Sequence, residues 1–245
     1  MRKPALFLLS ALMFAASLPS AAWADTARGR QAYEKKNYKR AFTELSAEAA
    51  RGKSEAMYLL GKMYAQGQGI ERNDALAFAW FQKAAAADYA PAQGMLGMFY
   101  AQGRGAKRDN TKSIEWARRA AENGDALSQY MMGVRALDGL GVPQSSDDAV
   151  AWFGTAAAQN YALAQYALGV LIGFGAAAPG EVAQQRELRI EGAKWLMLAL
   201  RQNADIPSIQ FRLDELKQAM QAQDISVAEM RARSWKPAAQ GKSSS

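Results

Sequence analysis

Three columns of glycine recur at a step of 36 residues, and no other feature constrains this chain as strongly. Gly61, Gly97, Gly133 and Gly169 keep the step, as do Gly67, Gly103, Gly139 and Gly175, and again Gly69, Gly105 and Gly141. Trp80, Trp116 and Trp152 follow the same step, with the pairs Ala84-Ala85, Ala120-Ala121 and Ala156-Ala157 and the apolar column Leu60, Leu96, Met132, Leu168. Six columns in one register define a tandem repeat. A unit of this length buries its apolar face only by stacking on its neighbours.

Each unit reads as two antiparallel helices. Ala56, Leu59, Leu60, Met63 and Tyr64 have helical spacing and precede a break at Gly67-Gln68-Gly69. The second helix opens at Asn73, Asp109 or Ser145, all good N-caps, and closes at Asp88, Gly124, Asn160 and Asn203. Because the repeat places no side chain at Gly61, Gly97 or Gly133, these are expected sites of close helix approach. The fourth unit is stretched: Gly61 to Trp80 is 19 residues, but Gly169 to Trp195 is 26. The extra 7 fall in 176–189, read as a longer loop around Pro179-Gly180.

The expected fold is an all-α solenoid, a right-handed superhelix of helical hairpins. A partial repeat at 27–52 precedes units at about 53–88, 89–124, 125–160 and 161–203. Capping helices are expected over 205–235, the last opened by a capping box at Ser226–Glu229, with Trp235 closing against the stack and 236–245 as a disordered tail.

The first residues carry a second message. Arg2 and Lys3 precede an apolar run, Ala5–Leu18, and Ala22-Trp23-Ala24 follows Pro19-Ser20. This is the order of a secretory signal peptide cleaved near Ala24. The run has 14 residues, short for a bilayer span, so no stable membrane insertion is expected after processing. The processed domain would span 25–235, with net charge +5 rather than +7 once Arg2 and Lys3 are removed. With no Cys, lipoprotein anchoring and disulfides are excluded.

The same composition removes classes of chemistry. With neither His nor Cys, the Ser-His-Asp and Cys-His nucleophile systems are impossible, and zinc sites lose their main ligands. No Ser-x-x-Lys occurs. Asp147-Asp148 stand at a helix start, where capping explains them. No Gly-x-Gly turn completes a dinucleotide fingerprint. No cofactor, metal or catalytic residue is expected. The cations Arg28, Arg30, Lys35, Lys36, Lys39 and Arg40 read as a solvated face. No aromatic ladder accompanies them, which argues against nucleic acid.

The unit Ala92–Gly105, with Trp116 and Ala120-Ala121-Glu122-Asn123-Gly124, resembles a Sel1-like repeat, a relative of the tetratricopeptide repeat with a longer loop. The resemblance covers Lys53–Asn203. It implies a non-catalytic protein-interaction adaptor, here an exported one whose partner is an envelope sensor or a cell-wall enzyme. A peptidoglycan-binding or cell-wall-modifying protein and a secreted host-interaction factor are the alternatives. In such stacks the first helices line the concave side. The columns Leu59-Met95-Met131-Ala167, Met63-Phe99-Arg135-Leu171 and Lys62-Met98-Val134-Val170 are unusually apolar and methionine-rich for a surface. They nominate Leu59, Lys62, Met63, Met95, Met98, Phe99, Met131 and Arg135 as partner-binding residues. The same columns can equally be core, because periodicity does not separate the two faces of a buried helix.

Overall fold

The computed structural model describes residues 21–175, 182–203 and 207–238. The expected export signal falls almost wholly outside them, as do residues 176–181 of the stretched unit. The described residues form α1 (Ala21–Glu34), α2 (Tyr38–Ala50), α3 (Ser54–Gln66), α4 (Asp74–Ala86), α5 (Ala90–Gln102) and α6 (Asn110–Glu122), followed by α7 (Ala126–Asp138), α8 (Ser146–Ala158), α9 (Ala162–Gly175), α10 (Val182–Gln202), α11 (Pro207–Gln218) and α12 (Ala222–Ser234). From α1 to α10 consecutive helices pair as hairpins and each hairpin packs on the next, and α11 and α12 both pack on α10, giving an all-α solenoid. The proposed cut after Ala24 would fall in the first turns of α1.

Local chemistry accounts for the helix ends. The side chains of Asn73, Asp109 and Ser145 accept the N–H groups of Leu76, Lys112 and Asp148 at 2.9, 2.9 and 3.1 Å, satisfying donors that the helix itself leaves open. Gly67, Gly103 and Gly139 end the first helices at φ near +67 to +69°, a left-handed conformation that costs glycine little. The second turn glycine is required by contact as well. A Cβ on Gly105 would stand 2.3 Å from the Asp74 carbonyl, where the loop of one unit lies on the second helix of the unit before.

The units are joined by apolar packing and by a repeated carboxamide contact. Gln129 donates to the Ala121 carbonyl at 3.0 Å and accepts from Gln159 at 2.7 Å. Gln93 with Asn123, and Gln165 with Gln202, repeat the arrangement one unit earlier and one unit later. Each link ties a second helix to the second helix of the next unit through a buried glutamine. Trp80, Trp116, Trp152 and Trp195 are half-buried at the junctions rather than deep in the core. Lys83, Arg119 and Lys194 lie over Trp80, Trp116 and Trp195 at 4.4, 5.6 and 4.2 Å from the ring centres.

Three expectations at the C-terminal end are corrected. The stretch after 181 is helix rather than loop: α10 has 21 residues where α4, α6 and α8 have 13. Its extra turns carry Arg186 and Glu187, which hold α12 through Asp224 and Arg231. Ser226 opens no helix, because α12 begins at Ala222 and the Ser226 hydroxyl bonds back to the Ala222 carbonyl at 3.1 Å. Residues 236–238, assigned to a tail, continue along the stack, and the Ala238 N–H donates to the Ala158 carbonyl at 2.8 Å. Trp235 meets Trp195 edge-on at 5.8 Å.

Candidate partner-binding groove

The repeat places a large apolar side chain of each second helix at the hairpin junction. The column is Leu45, Phe81, Ala117, Phe153, Leu196. Phe81 lies over Gly61 and Phe153 over Gly133, each so close that a glycine Cβ would stand 2.6 Å from the ring. From the next unit, Phe99 packs edge-on against Phe81 at 5.1 Å between ring centres. Ala117 breaks this pattern. Without a ring there, α5 and α6 close until the Gly97 Cβ position lies 3.0 Å from the Ser113 carbonyl. The opposite position, filled by Met63, Phe99 and Leu171 elsewhere, holds Arg135.

The missing ring and the arginine facing it leave an opening between α5 and α7. It is a groove of about 250 Å³ floored by Gly97 and Ala117, with walls that include Tyr58, Met95, Met98, Leu127, Met131 and Arg135. Met98, Leu127 and Met131 keep 38, 43 and 39% of their surface exposed, a cluster of apolar side chains open to water. The buried core is thinner at the same place, where Ala120, Ala121 and Met132 are buried without a ring among them. The buried cluster from Ala65 to Phe99 and the one from Ala136 to Leu168 each include a phenylalanine of a second helix, Phe81 or Phe153.

Polar groups stand at the rim. Asp125 caps α7 by accepting the Ser128 N–H at 2.8 Å. Arg135 donates from one terminal nitrogen to the Leu140 carbonyl at 3.3 Å, but its Nε is buried without a hydrogen-bond partner. Burial, with a smaller contribution from the Asp125 charge, pushes the Tyr58 phenol up to about 12, so it stays protonated at neutral pH. Among the described residues no group of three or more His, Cys, Asp and Glu side chains is placed to hold a metal ion. No described helix is long and apolar enough to cross a membrane.

A family model for the Sel1 repeat matches residues 54–89, 90–125, 126–161 and 162–203. The chain belongs to the Sel1 repeat family. Sel1 repeats commonly mediate protein–protein interaction, and the family is mostly non-catalytic. A Sel1 repeat protein of Oxalobacter formigenes is 31% identical, with a TM-score of 0.65, over 73% of this chain and 49% of that one. The c5321 protein, a protective antigen present in uropathogenic Escherichia coli strains, is 23% identical, with a TM-score of 0.55, over 85% of this chain and 52% of that one, and shares the fold. The present chain thus spans about half the length of each. No curated protein matches it.

Within this Sel1 stack, the eight residues nominated from sequence divide. Met95, Met98, Met131 and Arg135 meet in the groove. Leu59, Met63 and Phe99 are core, exposed by 7, 0 and 0%. They face the preceding hairpin, Leu59 and Met63 against the Leu45 cluster and Phe99 against Phe81, so none of the three offers a surface to a partner. Lys62 lies outside the groove lining, its ammonium over the rings of Tyr33 and Tyr58 at 5.3 and 5.6 Å. Sequence reading missed Tyr58, Leu127 and Asp125. It also missed the departure of Ala117 from its column, which the 36-residue register could have exposed.

Proposed function

We propose that this chain is an exported, periplasmic, non-catalytic adaptor that grips a segment of another envelope protein in the groove between α5 and α7. The single observation that carries the reading is the open apolar cluster of Met95, Met98, Leu127 and Met131 at the one hairpin junction whose second helix brings alanine where its counterparts bring leucine or phenylalanine. Methionine side chains are flexible and polarizable, and they suit a surface that adapts to an incoming side chain. The family's general role as an interaction scaffold supports the same reading.

The experiment is crosslinking in intact cells from a photoreactive residue at position 98, with position 115 on the exposed face of α6 as the control. Capture of one envelope protein from 98 and not from 115 is the expected outcome. Equal capture from both positions, or none from 98, would move the interaction elsewhere. Arg135→Glu should reduce capture while leaving the circular dichroism spectrum unchanged. Export is tested separately: N-terminal sequencing of the mature protein should begin near Asp25, and recovery of Met1 on membrane-bound material would contradict processing.

A further inference from the structure

Two of the hairpins are completed by a cluster of three rings. Tyr58 packs on Phe81 at 6.0 Å and on Tyr89 at 5.4 Å. Two units on, Tyr130 packs on Phe153 at 5.7 Å and on Tyr161 at 5.6 Å. The unit between them has Gly94 where the others have Tyr58 and Tyr130, Ala117 for Phe81 and Phe153, and Asp125 for Tyr89 and Tyr161. All three rings are gone from one site, and that site is the groove. Loss of one ring would leave a defect that the other two could partly fill. Loss of all three is only partly made good by the approach of α5 to α6 at Gly97, and the space that remains is the groove between α5 and α7.

The space is small. Its volume of about 250 Å³ is below the ~300–1,000 Å³ common for small-molecule and cofactor sites, and it suits a single large side chain. Its walls offer the thioethers of Met95, Met98 and Met131, and sulfur against a ring edge is a favourable contact. Asp125 gives the space a polar end. Where a Cβ of residue 94 would stand, the Ser128 hydroxyl lies 2.7 Å away and an Asp125 carboxylate oxygen 3.3 Å away, so polar groups at the start of α7 border the position that holds tyrosine in the neighbouring units. A carboxylate that accepts one backbone N–H retains capacity for another donor. On the α7 side, Arg135 lines the groove and spends one terminal nitrogen on the Leu140 carbonyl, and its guanidinium has further N–H donors for a peptide carbonyl.

We propose that the groove takes a tryptophan or tyrosine side chain from an extended segment of the partner polypeptide. The incoming ring occupies the site of the missing cluster, its N–H or O–H donates to Asp125, and the adjoining main-chain carbonyl accepts from Arg135. This rests on the groove being the partner surface and specifies what enters it.

The test uses the full chain with methyl-labelled methionine, followed by NMR, and two probes, N-acetyl-tryptophanamide and N-acetyl-leucinamide. The tryptophan probe should shift the methyl signals of Met95, Met98 and Met131 saturably, and the leucine probe should bind several-fold more weakly. Ala117→Phe restores a ring from within and should raise the Kd for the tryptophan probe tenfold or more, ~1.4 kcal/mol. If that variant loses the wild-type circular dichroism spectrum, Met131→Glu, on the exposed wall, takes its place with the same expected loss. Equal affinity for both probes, no saturable shift at these methyls, or unchanged binding in the variant that folds would each overturn the proposal. Capture of a partner from position 98 without probe binding would remove the aromatic occupant and leave the adaptor reading standing. Probe binding without capture would do the reverse.

Discussion

At the scale of single residues, burial decides what a substitution reads out. Phe99 has no exposed surface, packs edge-on against Phe81, and is covered by the Arg104 guanidinium at 4.4 Å. Phe99→Ala should therefore destabilise the fold by about 3–5 kcal/mol in urea titration, through lost burial and the cavity left behind. A variant that kept wild-type stability would place Phe99 outside the core. Gly97 makes the opposite test. Its Cβ position already lies 3.0 Å from the Ser113 carbonyl and 3.2 Å from the Ala117 nitrogen, both backbone atoms that a rotamer change cannot move. Gly97→Leu should overpack the α5–α6 contact and cost roughly 1–3 kcal/mol or more. Gly105→Ala combines a positive φ of 68° with a Cβ 2.3 Å from a carbonyl oxygen, and a clear fall in Tm is expected.

At the scale of helices and their junctions, the buried glutamines set one unit's register on the next. Gln129 is 6% exposed, and its carboxamide is bonded on both sides, to the Ala121 carbonyl and by the Gln159 amide. Gln129→Leu would take one hydrogen bond from the Ala121 carbonyl, which keeps the Gly124 N–H, and one from the Gln159 amide, which keeps the Gly124 carbonyl. A loss of about 0.5–1.5 kcal/mol per bond is expected. In a double-mutant cycle with Gln159→Leu, the two losses should be less than additive, because both substitutions remove the same Gln129–Gln159 bond. Strict additivity would show that the carboxamides do not communicate.

At the scale of the whole molecule, the stack is closed by charge as well as by apolar packing. The lengthened α10 holds α12 through Arg186 to Asp224 at 2.6 Å and through Arg231 to Glu191 at 2.7 Å. The Arg186 hydrogen bond lowers the Asp224 pKa. Burial works against the Glu191 charge, but hydrogen bonds from Lys194 and Arg231 outweigh it, and its pKa is lowered too. A carboxylate whose pKa is lower folded than unfolded contributes stability that is full above the unfolded value, near 4, and is lost as pH falls through the folded value. Amide exchange in α12 should therefore accelerate on acidification below about pH 4, before the central helices respond. Arg186→Ala should flatten that pH dependence. Acid sensitivity identical in α12 and in α5 would show that the end unit unfolds only with the whole.

The local features of this fold were legible in the sequence because they depend on residues close together in the chain. Asn73, Asp109 and Ser145 cap helices through bonds that reach three residues ahead, and Gly67, Gly103 and Gly139 turn where a left-handed residue is needed. A 36-residue period in such signals is sufficient to specify stacked hairpins, since each unit must bury its apolar stripe on another. The absolute rotation of each helix was not legible. Periodicity of 3.6 gives relative phase only, so Leu59, Met63 and Phe99 shared columns with Met131, Arg135 and Met95 although the first three face inward and the others line an opening. Only the tertiary structure decided that the stretch after 181 lengthens α10 and anchors α12, because the partners there are about 40 residues apart in sequence. It also decided what the absence of a side chain means. Ala117 is an unremarkable helix former on its own, and it becomes the floor of a groove only because neighbouring units bring rings to the positions around it that this unit leaves empty.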